Sequence, residues 1–254
     1  MKYIFQGLSD QGNSPVKMNQ DRICILSHPD CCLFVVCDGM GGSDHGERAS
    51  ETLVNHITEW WDNNINRISD ILSFNDIIDG IRQCITETSN YIWETTRENE
   101  FCGSTIAALL VKNDNYGIIW AGDSRIYEIH KRLFGLDVKQ LTVDDVWENK
   151  AENIARKTES EIRSDKNYGH LTNAIGIRKS VALNIRTGTV AAGTLFALMS
   201  DGIYKYINRN DFNKCMQTAL HEDVNNSIRL IKEIVDRNGA PDNYSIILVA
   251  ESKQ

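Results

Sequence analysis

The stretch Cys32-Leu33-Phe34-Val35-Val36-Cys37-Asp38-Gly39-Met40-Gly41-Gly42 joins an unbroken apolar run to a carboxylate and a set of glycines. The run predicts a strand covered on both faces, because a half-exposed strand would alternate apolar with polar residues. A carboxylate at the exit of such a strand is held by rigid scaffold, and glycines beside it let the backbone come close to a ligand. The arrangement recurs. Phe196-Ala197-Leu198-Met199-Ser200 leads into Asp201-Gly202, and Ile118-Ile119-Trp120-Ala121-Gly122 leads into Asp123-Ser124. Asp242-Asn243 stands before the apolar run at 244–250, and Asp21 opens the one at 22–26. Only Arg22 and Arg125 are obvious basic neighbours of these carboxylates. If they converge they repel one another, and hard divalent cations would relieve that repulsion. An all-oxygen ligand set suits Mg²⁺ or Mn²⁺ rather than Zn²⁺. Asp-Gly is also a common tight-turn signal, and the residues alone do not require five such sites to meet in space. They reach a divalent-metal site suited to hydrolysis.

Outward from these points, runs rich in β-branched and aromatic residues predict about ten strands. They lie at 3–8, 22–26, 32–37, 104–111, 117–121, 125–130, 138–143, 182–190, 194–199 and 244–250. Helical spacing of apolar residues predicts two long helices, at 47–64 and 75–98, and two further ones at 211–220 and 225–238. Helices this clustered do not build a doubly wound sheet, in which they alternate with strands. The order predicts an α+β fold, a four-layer α/β/β/α sandwich of two mostly antiparallel sheets flanked by helix pairs. Such a core uses residues 1–254 as a single domain, with the highly charged stretch at 145–170 as a surface flap.

Composition narrows the function. With 254 residues, 41% hydrophobic and 24% charged, the chain is globular rather than disordered. The 27 Lys and Arg against 35 Asp and Glu leave a net charge of -8, which disfavours nucleic acid and anionic membrane surfaces as partners. No apolar run reaches the ~18 residues of a membrane helix, and polar residues interrupt the start too early for a signal peptide, so a cytoplasmic location is expected. The 7 cysteines form no C-x-x-C pair and are read as reduced packing residues. The histidines show no metal-ligand spacing, and no Ser-His-Asp order supports Ser104 as a nucleophile.

Taken in order, Asn19-Gln20-Asp21, Asp38-Gly39-Met40-Gly41-Gly42, Gly103-Ser104-Thr105, Ala121-Gly122-Asp123-Ser124-Arg125, Leu171-Thr172-Asn173-Ala174-Ile175-Gly176, Ser200-Asp201-Gly202 and Asp242-Asn243 resemble the motifs of metal-dependent protein phosphatases of the 2C type, in their bacterial style. The resemblance spans almost the whole chain and implies the four-layer sandwich. It implies that Asp38 bridges two Mn²⁺ or Mg²⁺ ions, with the Gly39 carbonyl completing the second site and Asp201 and Asp242 holding the first. Asp21 would contact metal-bound water, and Asp123 would share a third, weaker ion with Asp201. The implied chemistry is hydrolysis of phosphoserine and phosphothreonine by a water that the ions activate and aim at phosphorus, with no covalent phosphoenzyme. The implied partners are phosphorylated proteins, in the setting of a Ser/Thr kinase and its targets, with the enzyme a monomer.

The sequence departs from that pattern in places. Gln20 stands where many members carry Glu, and Met40 where eukaryotic members carry a histidine general acid, so leaving-group protonation falls to water or another group. The arginine that often clamps phosphate is replaced by Lys17, offset by one position, which leaves phosphate binding to Lys17, to Arg22 or mostly to the metals. Asp144-Asp145 replaces the usual Asp-His. Two rival readings stand beside the phosphatase, a non-catalytic phosphoprotein-binding module of the same fold and a hydrolase of small phosphate esters. Retention of Asp38, Asp201 and Asp242 argues against the first.

Overall fold

Side-chain alternation along the central strands decides the layering, because successive residues of a strand point to opposite faces. In β3 (Cys31–Gly41), Leu33, Val35 and Cys37 join one core, and Cys32, Phe34 and Val36 join another. Both faces are covered, as an unbroken apolar run requires. The computed structural model describes residues 3–14, 18–41, 45–68, 71–96, 100–221 and 223–251.

One sheet has the order β1-β11-β10-β7-β8, built from β1 (Tyr3–Asp10), β11 (Tyr244–Glu251), β10 (Leu195–Met199), β7 (Arg125–Lys131) and β8 (Leu136–Gln140). The other has the order β2-β3-β5-β6-β9, built from β2 (Asp21–His28), β3, β5 (Ile106–Lys112), β6 (Asn115–Ala121) and β9 (Asn184–Thr189). The short β4 (Cys102–Ser104) pairs with the end of β3, and every pairing is antiparallel. Phe34, Val36, Leu109 and Trp120 of one sheet meet Phe196, Leu198, Ile247 and Val249 of the other in the central core.

Helices cover the outer faces. Leu53, Ile57 and Trp61 of α1 (His45–Ile68) and Ile77, Ile81 and Ile85 of α2 (Phe74–Thr95) pack on the sheet containing β3. Ser73 starts α2 with a capping box in which its hydroxyl accepts from the Asp76 N–H and the Asp76 carboxylate accepts from the Ser73 N–H. The buried Lys112, at the end of β5, donates to the Ile68 carbonyl at 2.6 Å and so caps the far end of α1. On the opposite face, Cys215, Met216 and Ala219 of α6 (Arg209–Leu220) and Ile228, Ile231 and Val235 of α7 (Val224–Arg237) pack on Leu195, Ala197, Met199 and Leu248. The four-layer sandwich expected from the element order is the observed architecture.

Three local features differ from the sequence reading. The strand expected at 104–111 is broken at Thr105, because the Thr105 N–H donates to the Asp38 carbonyl and its hydroxyl accepts from the Asp38 N–H. The stretch at 145–170 contains a 3₁₀ turn, Trp147–Asn149, and two short helices, α3 (Ala151–Arg156) and α4 (Glu159–Arg163). A third short helix, α5 (Asp201–Tyr204), follows β10 directly.

Candidate active site

The β2–β3 register sets Asp21 directly opposite Asp38. Like charges facing one another across a strand pair are unfavourable, so the surroundings must stabilise this pair. Asp21 is 1% exposed, and its Oδ2 accepts a hydrogen bond from the Ser200 hydroxyl at 2.7 Å. Ser200 Oγ in turn accepts from the Ser245 N–H, which ties β2 to the ends of β10 and β11. The Asp38 backbone is fastened on both sides by Thr105, whose hydroxyl lies 2.6 Å from that of Ser124, next to Asp123. The Gly103-Ser104-Thr105 segment thus acts beneath the site through backbone positioning.

Asp201 is brought to Asp242 by close packing. A Cβ at Gly202 would lie 2.0 Å from the Asn243 carbonyl oxygen, so only glycine lets α5 sit against the segment leading into β11. Asn243 then fixes that segment, accepting from the Gln20 N–H and donating to the Gln11 carbonyl. A Cβ at Gly39 would meet the Gly46 carbonyl oxygen at 2.2 Å and the Gln20 carbonyl oxygen at 2.6 Å, so the end of β3 packs equally closely on the start of α1.

On the other side, Asp123 Oδ2 accepts from the Tyr204 hydroxyl at 3.2 Å. The Arg125 guanidinium stacks 3.6 Å from the Tyr204 ring centroid and is held by a two-point contact with Asp144. Lys205, the C-cap of α5, returns both its N–H and its ammonium to Asp201: the N–H reaches the carbonyl at 3.0 Å, and Nζ reaches Oδ2 at 2.6 Å.

These carboxylates act on one another. Burial pushes the Asp21 pKa up to about 7, with Asp201 and Asp242 adding to it and the Ser200 and Ser245 hydroxyls working against it. Burial raises Asp38 well above the usual carboxylate range, and Asp21, Asp201, Asp123 and Asp242 all raise it further. Asp123 is raised to about 6 by burial and by Asp201, against the opposing influence of Lys205 and Tyr204. Asp242, on the exposed rim, is raised by burial and Asp201. Among the described residues no three His, Cys, Asp or Glu side chains are drawn tightly enough together to form a metal-ligand group by themselves. What gathers is negative charge on hard oxygen atoms, and this donor set fits Mg²⁺ or Mn²⁺.

The phosphate ligands expected from the sequence fare differently. Lys17 lies outside the described residues. Arg22 points to the Glu47 carboxylate and donates to the Asn19 and Asp21 carbonyls at 2.6 and 2.9 Å, so its guanidinium is engaged within the fold. Arg22 and Arg125, the obvious basic neighbours in the sequence, are both turned to other carboxylates, and among the described residues the cation paired with a carboxylate of the cluster is Lys205. Its signal was the four-residue spacing from Asp201, which becomes contact only on a helix.

The family model described as Protein phosphatase 2C matches residues 15–235. The chain belongs to the protein phosphatase 2C family, and is accordingly a phosphoprotein phosphatase whose family depends on divalent cations. A putative protein phosphatase 2C-type of Streptococcus pyogenes is 24% identical over 219 residues, which cover 85% of each chain. The serine/threonine protein phosphatase PstP of Mycobacterium tuberculosis is 26% identical over 217 residues, 85% of this chain and 40% of the relative. The solved structure of the S. agalactiae serine/threonine phosphatase shares the fold with a TM-score of 0.83 at 23% identity, covering 99% of this chain and 100% of that one. Among the described residues no helix is long and apolar enough to cross a membrane.

Proposed function

We propose that the chain hydrolyses phosphoserine and phosphothreonine in proteins by direct attack of water on phosphorus, using Mn²⁺ or Mg²⁺ held by Asp38, the Gly39 carbonyl, Asp201 and Asp242. The observation that carries this reading is the pairing of Asp21 with Asp38 across β2–β3, within electrostatic reach of Asp201 and Asp242. The ions, when bound, lower the pKa of water and offset charge on the phosphoryl oxygens. The protein's part is to hold the carboxylates in place before substrate arrives. Thr105 locks the Asp38 backbone, Ser200 orients Asp21, and the Gly202–Asn243 contact keeps Asp201 beside Asp242.

A covalent phosphocysteine has no support here. All seven cysteines are buried, and burial raises each thiol pKa, opposing the thiolate that a nucleophile requires. The serine/threonine preference is supported by the names of the similar bacterial phosphatases, and the partners that follow from this reading are phosphorylated proteins, the targets of a Ser/Thr kinase. We read residues 1–254 as one catalytic unit in which the stretch at 145–170 is a flap. Its base is anchored at the site, since the Asp145 N–H donates to the Gly122 carbonyl and its carboxylate accepts from the Gly122 N–H.

The test is release of phosphate from p-nitrophenyl phosphate and from a phosphothreonine peptide, with Mn²⁺, with EDTA, and in Asp38→Ala. Mn²⁺-dependent release from both, abolished by EDTA and by the substitution, is expected. No release from either would favour the binding module, and release from the aryl ester alone would favour the small-ester hydrolase.

A further inference from the structure

The sequence resemblance implies a third, weaker ion shared by Asp123 and Asp201. The structure supplies that side of the site with positive charge of its own. Lys205 Nζ lies 2.6 Å from Asp201 Oδ2, and the α5 turn fixes the pair, because the Lys205 N–H is bonded to the Asp201 carbonyl. The second donor on this side is the Tyr204 hydroxyl on Asp123 Oδ2. The neighbouring Arg125 cannot take over from Lys205, since its guanidinium is committed to Asp144 and stacked on Tyr204.

We propose that the Lys205 ammonium is a built-in cation that occupies the Asp123–Asp201 side of the site, so that this chain uses two divalent ions and takes no third. A divalent ion placed there would have to break the Lys205–Asp201 ion pair and sit against a positive charge. The same carboxylates cannot fully serve both. Lys205 is then a positioning residue that holds Asp201, and its tether makes its local concentration independent of metal supply.

This inference rests on the metal-dependent reading above, and counting bound ions separates the two. Equilibrium dialysis and calorimetric titration with Mn²⁺ alone would be run on the wild type, Lys205→Met, Lys205→Arg and the double variant Lys205→Met/Asp123→Asn. Two ions in the wild type and in Lys205→Arg, a third in Lys205→Met with affinity at least about tenfold above any third site in the wild type, and its loss in the double variant are expected. Three ions in the wild type would overturn the inference while leaving the phosphatase reading intact. So would two ions in Lys205→Met with only the KM for phosphopeptide raised, which would make Lys205 a substrate ligand. Lys205 is half exposed, so both substitutions are compatible with folding, and the wild-type ion count still tests the inference if Lys205→Met is unstable. No Mn²⁺ bound by any of the four proteins would sink the phosphatase reading and this inference together.

Discussion

The two halves of the carboxylate cluster are built differently. Asp21 and Asp38 rest against neutral groups, the Ser200 hydroxyl on one and the Thr105 hydroxyl on the backbone of the other. Asp123 and Asp201 rest against a phenol and an ammonium. Neutral dipoles can orient a carboxylate and moderate its pKa, but they leave its charge in place, whereas an ammonium within contact distance cancels it. Among the described residues the first half therefore has no cation in contact with its carboxylates, and the second has part of that need met within the chain.

If this contrast is right, the largest losses come from the first half and from the ligands it shares. Asp38→Asn or Asp201→Ala removes several kcal/mol of transition-state stabilisation, a drop in kcat of about 10³-fold or more, measured at saturating Mn²⁺ on a phosphothreonine peptide. Asp123→Ala should lose only about tenfold, because Lys205 still stands beside Asp201. Equal losses in Asp123→Ala and Asp38→Asn would erase the distinction between the halves.

Packing sets the next effect. Gly202→Ala places a Cβ 2.0 Å from backbone, which cannot yield as a flexible side chain would. We expect a loss of about 3 kcal/mol in chemical denaturation, together with weaker Mn²⁺ binding, because Asp201 and Asp242 are pushed apart.

Stability without metal should run against intuition. In EDTA, the raised pKa values of Asp21, about 7, and Asp123, about 6, mean that the folded chain binds more protons than the unfolded chain between about pH 4 and pH 7. Stability from this source is greatest at the acidic end of that window and falls as pH rises through it. The Tm in EDTA should therefore drop between pH 5 and pH 7.5, and saturating Mn²⁺ should flatten or reverse the slope. Asp21→Asn should raise the Tm in EDTA while lowering kcat, since it removes one of the facing charges. Ser200→Ala should act in the other direction and cost about 1–3 kcal/mol at neutral pH, because a buried carboxylate loses its donor.

How much of this was legible follows from the length of the signals. The strand-end aspartates stood out because long apolar runs stop at them, and the four layers followed from the grouping of helices and strands. Lys205 was hidden because α5 is one turn long and Ile203-Tyr204 carries no helical period to reveal it. The break at Thr105 was hidden for a different reason. Ser104 to Val111 is uniformly buried, and the interruption is caused by bonds to Asp38, which is distant in sequence. The short helices within 145–170 left one local trace, the Thr158-x-x-Glu161 capping box, but few apolar anchors by which to place them.

The smallest effect tests a cation that the sequence offered beside Lys17 and that the fold redirects. Arg22 sits beside Asp21 in the chain, yet its guanidinium is held by Glu47 and by the carbonyls of Asn19 and Asp21. An arginine that binds phosphate must offer free N–H groups toward the substrate, and one engaged on several sides would have to give up existing bonds to do so. Arg22→Ala should then cost about 1–2 kcal/mol of stability through the lost anchoring of the turn before β2, and should change the KM for a phosphothreonine peptide by less than about twofold. A KM rise of tenfold or more with kcat unchanged would restore Arg22 as a phosphate ligand. It would also mean that Glu47 releases the guanidinium when substrate binds, and that the Asp21–Asp38 half recruits a positive charge from the chain just as the Asp123–Asp201 half does.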